Sequence, residues 1–318
     1  MPDKNGNGPI SAGTGGLIMA QKEIKNVAAS VRERLLNVAK KAERSFDAVL
    51  RQYCQERFLY RLSISPYKKN FILKGGLLFL ALPVPARRPT VDIDFSGIAI
   101  VDDREKLKDV FVQIANIQGP DGIEYHAKRM IIRAIKEGSD FTGSRIIIPA
   151  ELARARVSLQ IDVAFGDAAA NGPRTIVFPT LLDLPAPSIF AYSLETMIAE
   201  KFEAIVSRQT ATSRMKDFFD IVYLAESLKF EGSDLRKAFE KTLGRRGADP
   251  KQCEMVFSRE FADNPNLAAL WEGFLARNDL AHVGDFPAVM EKLKRFMLPV
   301  VTGTCESKSW DNKKAVWQ

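Results

Sequence analysis

The chain has 318 residues, 46% apolar and 27% charged, which is long enough to bury a real core and ordinary for a globular protein. Its formal charge of +7 favours phosphate-rich partners, whereas two histidines and three scattered cysteines (Cys54, Cys253, Cys305) argue against a His- or Cys-based metal site, a Ser-His-Asp triad or a disulfide framework. No run of about 18 apolar residues is present and no basic-then-apolar leader opens the chain, so a cytoplasmic protein with no membrane span is expected.

Residues 1–20, rich in Gly and Asn, read as a disordered leader. From about Gln21 to Arg61 the pattern is helical: Ile24, Val27, Val31, Leu35 and Val38 recur on one face, and Phe46, Val49 and Leu50 begin a second stripe. Pro66 interrupts. Phe71 to Leu73 reads as a short strand, Gly75-Gly76 as a turn, and Leu77 to Leu82 as a short helix stopped by Pro83 and Pro85. Val91 to Phe95 is a strand and Arg104 to Ile117 a helix; residues 123–135, 144–149 and 156–165 are further strands. Pro179, Pro185 and Pro187 mark a linker. Beyond them come helices at 194–207 and 215–228 and others out to about Met297, then a frayed tail at 304–318. The predicted class is α+β: a mixed sheet with flanking helices over residues 21–185, then a helical C-terminal domain over 186–303.

In Val91-Asp-Ile-Asp-Phe95 the residues alternate, and a strand sends alternate side chains to opposite faces. Val91, Ile93 and Phe95 take the core side. Asp92 and Asp94 share the other, with Cα atoms roughly 7 Å apart. Two like charges so close call for a cation between them, and a hard divalent ion such as Mg²⁺ (or Mn²⁺) takes such oxygens together with substrate phosphates. Alone, such a pair is more often a solvated strand face. Residues 157–165 repeat the pattern, with Val157, Leu159, Ile161, Val163 and Phe165 on one face and Asp162 on the other beside Ser158 and Gln160. Were the two strands adjacent, three carboxylates would converge as in a two-metal phosphoryl-transfer site.

Two helices then carry charges on their apolar faces. Lys201 falls in the middle of the stripe formed by Leu194, Met197, Ile198 and Ile205. Such a lysine must snorkel, pair or point into a site, and an ammonium on a rigid helix suits a triphosphate. In 214–228, Asp217 shares a face with Ile221, Leu224 and Leu228, with Asp220 at its edge. Asp217 also lies where first-turn capping would use it, and an internal pair with Lys201 is a third reading.

The chain resembles the AbiEii/AbiGii family of toxin nucleotidyltransferases, whose fold is similar to that of the DNA polymerase-β-like nucleotidyltransferases. The resemblance covers roughly residues 70–230. It rests on Leu73-Lys-Gly-Gly76, Arg88-Pro-Thr-Val-Asp-Ile-Asp94, Ile161-Asp162, Ala199-Glu-Lys201 with Arg208, and Arg214-Met-Lys-Asp-Phe-Phe-Asp220, in that order. It implies a nucleotidyltransferase core in which Lys74, Gly75 and Gly76 open the phosphate loop, Thr90 precedes the metal aspartates, and Asp92 and Asp94 bind metal with Asp162 as third ligand. Lys201 contacts the nucleotide with Arg208 nearby, and Asp217 and Asp220 form the last acidic motif. Leu77 stands where the family usually has Thr or Ser. The resemblance further implies a nucleoside triphosphate substrate, an RNA acceptor (notably the tRNA 3′ end), a cognate antitoxin and a part in phage defence. Asp162 or Asp217 is the expected acceptor of the hydroxyl proton. A catalytically silent RNA- or nucleotide-binding module and a phosphotransferase of the same fold are the competing readings.

Overall fold

The computed structural model describes residues 26–84, 90–100, 103–137, 141–166, 172–246 and 250–318. The leader expected at 1–20 and the Arg88-Pro89 part of the second motif lie outside the described residues.

Two helices, α1 (Val27–Lys41) and α2 (Phe46–Ile64), begin where Asn26 and Ser45 accept the amides of Ala29 and Ala48, satisfying donors that a helix start leaves open. The stripe in α1 buries Val31, Leu35 and Ala39. Helix α2 is buried more widely and carries charges inward. Glu56 accepts the Leu181 amide at 2.7 Å and pairs with Arg57 at 2.8 Å, and Arg57 Nη2 donates to the Pro185 carbonyl. Arg61 pairs with Asp121 at 2.6 Å. These bonds lace the proline-rich stretch and the loop before residue 124 onto α2. Burial pushes the Glu56 carboxyl up to about 7.

Among the described residues the main sheet has eight strands: β1 (Phe71–Lys74), β2 (Asp92–Gly97), β3 (Glu124–Tyr125), β4 (Ile131–Glu137), β5 (Phe141–Leu152), β6 (Ala155–Phe165), β7 (Arg174–Val177) and β8 (Ser188–Ala191). Their order is β3-β5-β6-β2-β1-β8-β7, with β4 also on β5. The pairs β2·β6 and β1·β8 are parallel and the rest antiparallel, so the sheet is mixed, as expected. Between β1 and β2, residues 76–81 form a 3₁₀ turn that buries Leu77, Leu78 and Phe79. Helix α3 (Arg104–Ala115), capped by Asp103, packs Leu107, Phe111 and Ile114 inward.

The single strand expected over 123–135 is instead two short ones. Both pair with the long β5, and a 3₁₀ turn at Ala127–Arg129 separates them. The break lies opposite Pro149, which has no N–H to give a ladder; its carbonyl accepts the His126 amide at 2.8 Å.

After the proline-rich stretch, β8 rejoins the sheet beside β1 and leads into α4 (Leu194–Arg208) and α5 (Met215–Ser227). Then come β9 (Phe230–Glu231), α6 (Gly232–Arg246), α7 (Pro250–Val256), α8 (Arg259–Ala262), α9 (Pro265–Asn278) and α10 (Phe286–Thr302). The last residues are not frayed. Strands β10 (Ser309–Asp311) and β11 (Val316–Trp317) join β9 in a second sheet. Trp310 explains the difference: it is 3% exposed, packs edge-on against Phe296 and donates its indole N–H to the Ala225 carbonyl at 2.6 Å. One buried tryptophan outweighs a locally polar sequence. No helix among the described residues is long and apolar enough to cross a membrane.

Candidate functional site

Strand β2 runs from Asp92 to Gly97 and alternates at Asp92–Phe95 as expected, but Val91, expected on the core side, precedes the strand and is 47% exposed. Ile93 and Phe95 are fully buried, and Asp92 and Asp94 point the other way, half-buried. Helix α2 helps set the strand's approach, because Gln55 donates to the Val91 carbonyl at 2.8 Å. Strand β6 lies directly beside β2 with Asp94 opposite Asp162, so the three carboxylates share one face. That pairing brings together residues 68 positions apart.

Opposite this face stand α4 and α5. Ser193 caps α4 by accepting the Thr196 amide, and the Tyr192 amide bonds the Leu73 carbonyl, so α4 springs from the sheet beside the Gly75 loop. Lys201 reaches two carboxylates of α5, Asp217 at 2.7 Å and Asp220 at 2.8 Å. Arg214 lies 3.7 Å from the second oxygen of Asp217. The paired reading of Lys201 is therefore what the chain adopts, with both aspartates rather than one.

Between sheet and helices lies a cleft of about 280 Å³. Asp92, Asp94, Asp162, Lys201 and Asp217 all line it, as do Lys74, Gly75 and Arg208. Gly76, Thr90 and Asp220 do not. Gly76 starts the 3₁₀ turn, the Thr90 hydroxyl lies 3.5 Å from the Asp92 carbonyl, and Asp220 sits behind Lys201 at 1% exposure. Leu77 is buried in the core at 0% exposure, so its side chain is no part of the cleft wall.

The cleft also contains Arg145 and Tyr192, to which the sequence does not point, and Glu200, Arg214 and Lys216, which lie within the quoted motifs but carry no expected role. Lys74 pairs with Glu200 at 3.7 Å, tying β1 to α4. Arg145 on β5 binds Asp162 through both carboxylate oxygens, at 2.8 and 2.7 Å. That contact bears on two expectations for Asp162: as the structure stands, a third metal ligand and a proton acceptor are both engaged by a guanidinium. Asp217 is similarly closed in under Lys201.

Gly75 meets Asp94 at close quarters. Its φ of 69° and ψ of −158° lie where only glycine is comfortable, and a Cβ there would overlap the Asp94 carboxylate. Burial raises the Asp94 carboxyl above the usual carboxylate range; Lys74 and Lys216 oppose the rise while Asp162 and Asp92 add to it. Asp92 is raised by burial and then by Asp162, against Arg145, Lys216 and Arg51.

These facts bear on whether a divalent cation fits. Among the described residues no group of three or more His, Cys, Asp or Glu is arranged to hold a metal ion. Two carboxylates on one strand face, both raised by burial and by neighbouring negative charge, are nonetheless a donor set suited to a hard cation that keeps waters and substrate phosphates as its other ligands.

Two solved structures resemble this chain in course. JHP933 from Helicobacter pylori has 15% identity, covers 81% of this chain and 94% of its own, and gives a TM-score of 0.49. A candidate nucleotidyltransferase of H. pylori has 14% identity, covers 86% and 95%, and gives 0.41. No curated protein matches. The family described as "Nucleotidyl transferase AbiEii toxin, Type IV TA system" matches residues 57–295, well over half of the chain and every residue of the cleft. This chain therefore belongs to the AbiEii nucleotidyltransferase toxin family, and its activity is nucleotidyl transfer.

Proposed function

We propose that the enzyme moves a nucleotide from a nucleoside triphosphate to the 3′ end of an RNA, a tRNA by family resemblance, with the help of Mg²⁺ or Mn²⁺. In the cell it would act as the toxin of an antitoxin pair that serves in phage defence. The observation that carries this reading is the polarity of the cleft. The sheet wall carries Asp92, Asp94 and Asp162 against Lys74 and Arg145 and is net negative, and the helical wall carries Lys201, Arg208, Arg214 and Lys216 against Glu200 and Asp217 and is net positive.

Asp92 and Asp94 would hold the cation. When bound, it would offset phosphate charge and lower the pKa of an attacking hydroxyl. The protein's own part is positioning and charge. The helical wall holds the triphosphate, with the Lys201 ammonium fixed by two charge-assisted bonds to Asp217 and Asp220, so it need not reorganise as charge grows on the leaving pyrophosphate. Gly75 lets backbone approach where any side chain would fill the space. The RNA oxygen bonds to the α-phosphorus, the α–β phosphoanhydride breaks, pyrophosphate leaves, and the hydroxyl proton passes to a cleft carboxylate or to water.

The test is the mass of an RNA pool incubated with each nucleoside triphosphate and Mg²⁺. A gain of one or more nucleotide residues is expected for the native enzyme. Asp92→Ala is expected to show background levels at unchanged circular dichroism and with no loss of melting temperature. Full transfer by well-folded Asp92→Ala overturns the metal-carboxylate reading. A gain of a phosphoryl group alone replaces nucleotide transfer with phosphotransfer, and tRNA binding with no mass change leaves a binding module.

A further inference from the structure

Four strands place four charges in one row. Lys74 on β1 is opposite Asp94 on β2, Asp94 is opposite Asp162 on β6, and Asp162 is opposite Arg145 on β5. In-register neighbours share a face and stand about 4.8 Å apart from strand to strand. The row therefore reads plus, minus, minus, plus across the cleft floor. Its two ends differ. Lys74 is 15% exposed and tied to Glu200, whereas Arg145 is 36% exposed and holds Asp162 in a two-bond fork. A guanidinium binds carboxylate and phosphate with the same planar fork, so a polyphosphate entering the cleft competes with Asp162 for Arg145 on equal geometric terms.

We infer that the Arg145–Asp162 pair is exchangeable: it withholds Asp162 from the divalent cation until the substrate's polyphosphate draws Arg145 away. Asp162 is then released next to Asp94 and joins Asp92 and Asp94 as the third carboxylate. Arg145 thereby acts as a phosphate ligand and as the switch that completes the site. The consequence is reciprocal coupling, since whatever removes Arg145 from Asp162 tightens cation binding, and whatever removes Asp162 from Arg145 tightens polyphosphate binding. The inference rests on the proposed role of Asp92 and Asp94 as cation ligands.

Two binding measurements on the full chain test it without turnover. In the first, Mn²⁺ is titrated with no nucleotide present against the native protein, Arg145→Ala, Asp162→Asn and the double variant. Arg145→Ala is expected to bind Mn²⁺ about tenfold more tightly, the low end of what losing a competing charge-assisted hydrogen-bond partner for Asp162 releases. That gain should vanish in the Asp162→Asn background. An equal gain in both backgrounds means only a lost positive charge and overturns the exchange. In the second, inorganic triphosphate is titrated in EDTA. Asp162→Asn is expected to bind it more tightly, and only while Arg145 is present. Unchanged affinities with a lowered melting temperature make the pair a plain strand clamp and also overturn it. Arg145→Gln, which keeps the side-chain stem, replaces Arg145→Ala if the latter folds poorly. Failure of the native protein to bind Mn²⁺, even with a non-hydrolysable nucleoside triphosphate, removes the metal reading itself; binding that is indifferent to Arg145 removes only the exchange.

Discussion

Replacing Gly75 by alanine separates what the cleft needs from what the fold needs. Two costs are visible. The backbone at φ 69°, ψ −158° belongs to a region essentially reserved for glycine, and forcing an L-residue there costs about 1–3 kcal/mol. The new methyl also overlaps the Asp94 carboxylate and crowds its Cβ, and overpacking of this kind costs about 1–3 kcal/mol more. Together the loss is roughly 2–6 kcal/mol against a total stability of about 5–15 kcal/mol. Gly166 supplies the control. It too has positive φ, 85°, but among the described residues nothing lies within 4 Å of where its methyl would sit, so Gly166→Ala carries strain without overlap there. The excess cost at Gly75 then contains the overlap, together with any difference in backbone strain between the two positions. Part of that excess can be relieved if the Asp94 carboxylate swings aside, and a displaced Asp94 would no longer meet the proposed cation. Urea unfolding of both variants, with transfer rate and Mg²⁺-induced thermal shift measured alongside, is the assay. Gly75→Ala is expected to unfold at lower urea than Gly166→Ala and to lose both transfer and the Mg²⁺ shift, and its excess cost should shrink in an Asp94→Ala background. Equal destabilisation at the two glycines, with transfer unharmed at Gly75, would refute the close-approach argument.

Two further expectations concern stability. Because Asp94 is raised above the ordinary carboxylate range, the folded state holds its proton more tightly than the unfolded chain; stability is lost as pH rises from roughly pH 4 through the raised value and stays lost above it. Asp94→Asn is therefore expected to melt higher than the native protein near pH 8 without metal, with the gain disappearing towards pH 4; a variant that melts lower at pH 8 contradicts the sign. Trp310→Ala should cost about 3–5 kcal/mol in urea unfolding, since it empties a buried ring site and strands the Ala225 carbonyl, and a neutral effect would show that the C-terminal strands are dispensable to the fold.

Strict alternation makes β2 and β6 legible, because one face of each is buried and a period of two leaves no ambiguity about which residues share a side. Their adjacency is not legible. A parallel pair separated by several other elements leaves no local trace, so the convergence of Asp94 and Asp162 stays conditional until the fold is known. Arg145 escapes notice for a related reason. The β5–β6 hairpin turns at Ala153-Arg154, with φ of 45° and 72°, and opposes Leu152 to Ala155; that register carries down the ladder to set Arg145 against Asp162. Two-residue turns of positive φ usually announce themselves as Asn-Gly or Asp-Gly. Ala-Arg does not, so the hairpin and its register leave no mark in the sequence. The C-terminal strands read as a frayed tail because their stability comes from Trp310 and Trp317 against Phe296, contacts with distant sequence rather than a local pattern.

Lys201 is legible for the opposite reason: it violates a local pattern. A lysine in an apolar stripe and aspartates in the next one are each unfavourable alone, and burying the pair does not by itself make them favourable, since desolvation of both charges works against their attraction. Apolar residues of similar size would pack α4 on α5 at least as well. What the charged cluster adds is a fixed position for an ammonium on the cleft wall, facing the carboxylates of β2 across the space a triphosphate would fill. The same logic distinguishes the two pairs that border the cleft. Lys201 lies between two aspartates at 2% and 1% side-chain exposure and is built to stay where it is. Arg145, more open to solvent and forked among the described residues onto Asp162 alone, belongs to the pair that the proposed exchange would open. On the proposed reading, a site that binds polyphosphate and cation together has use for both kinds, one to hold the phosphates in place and one to exchange when they arrive.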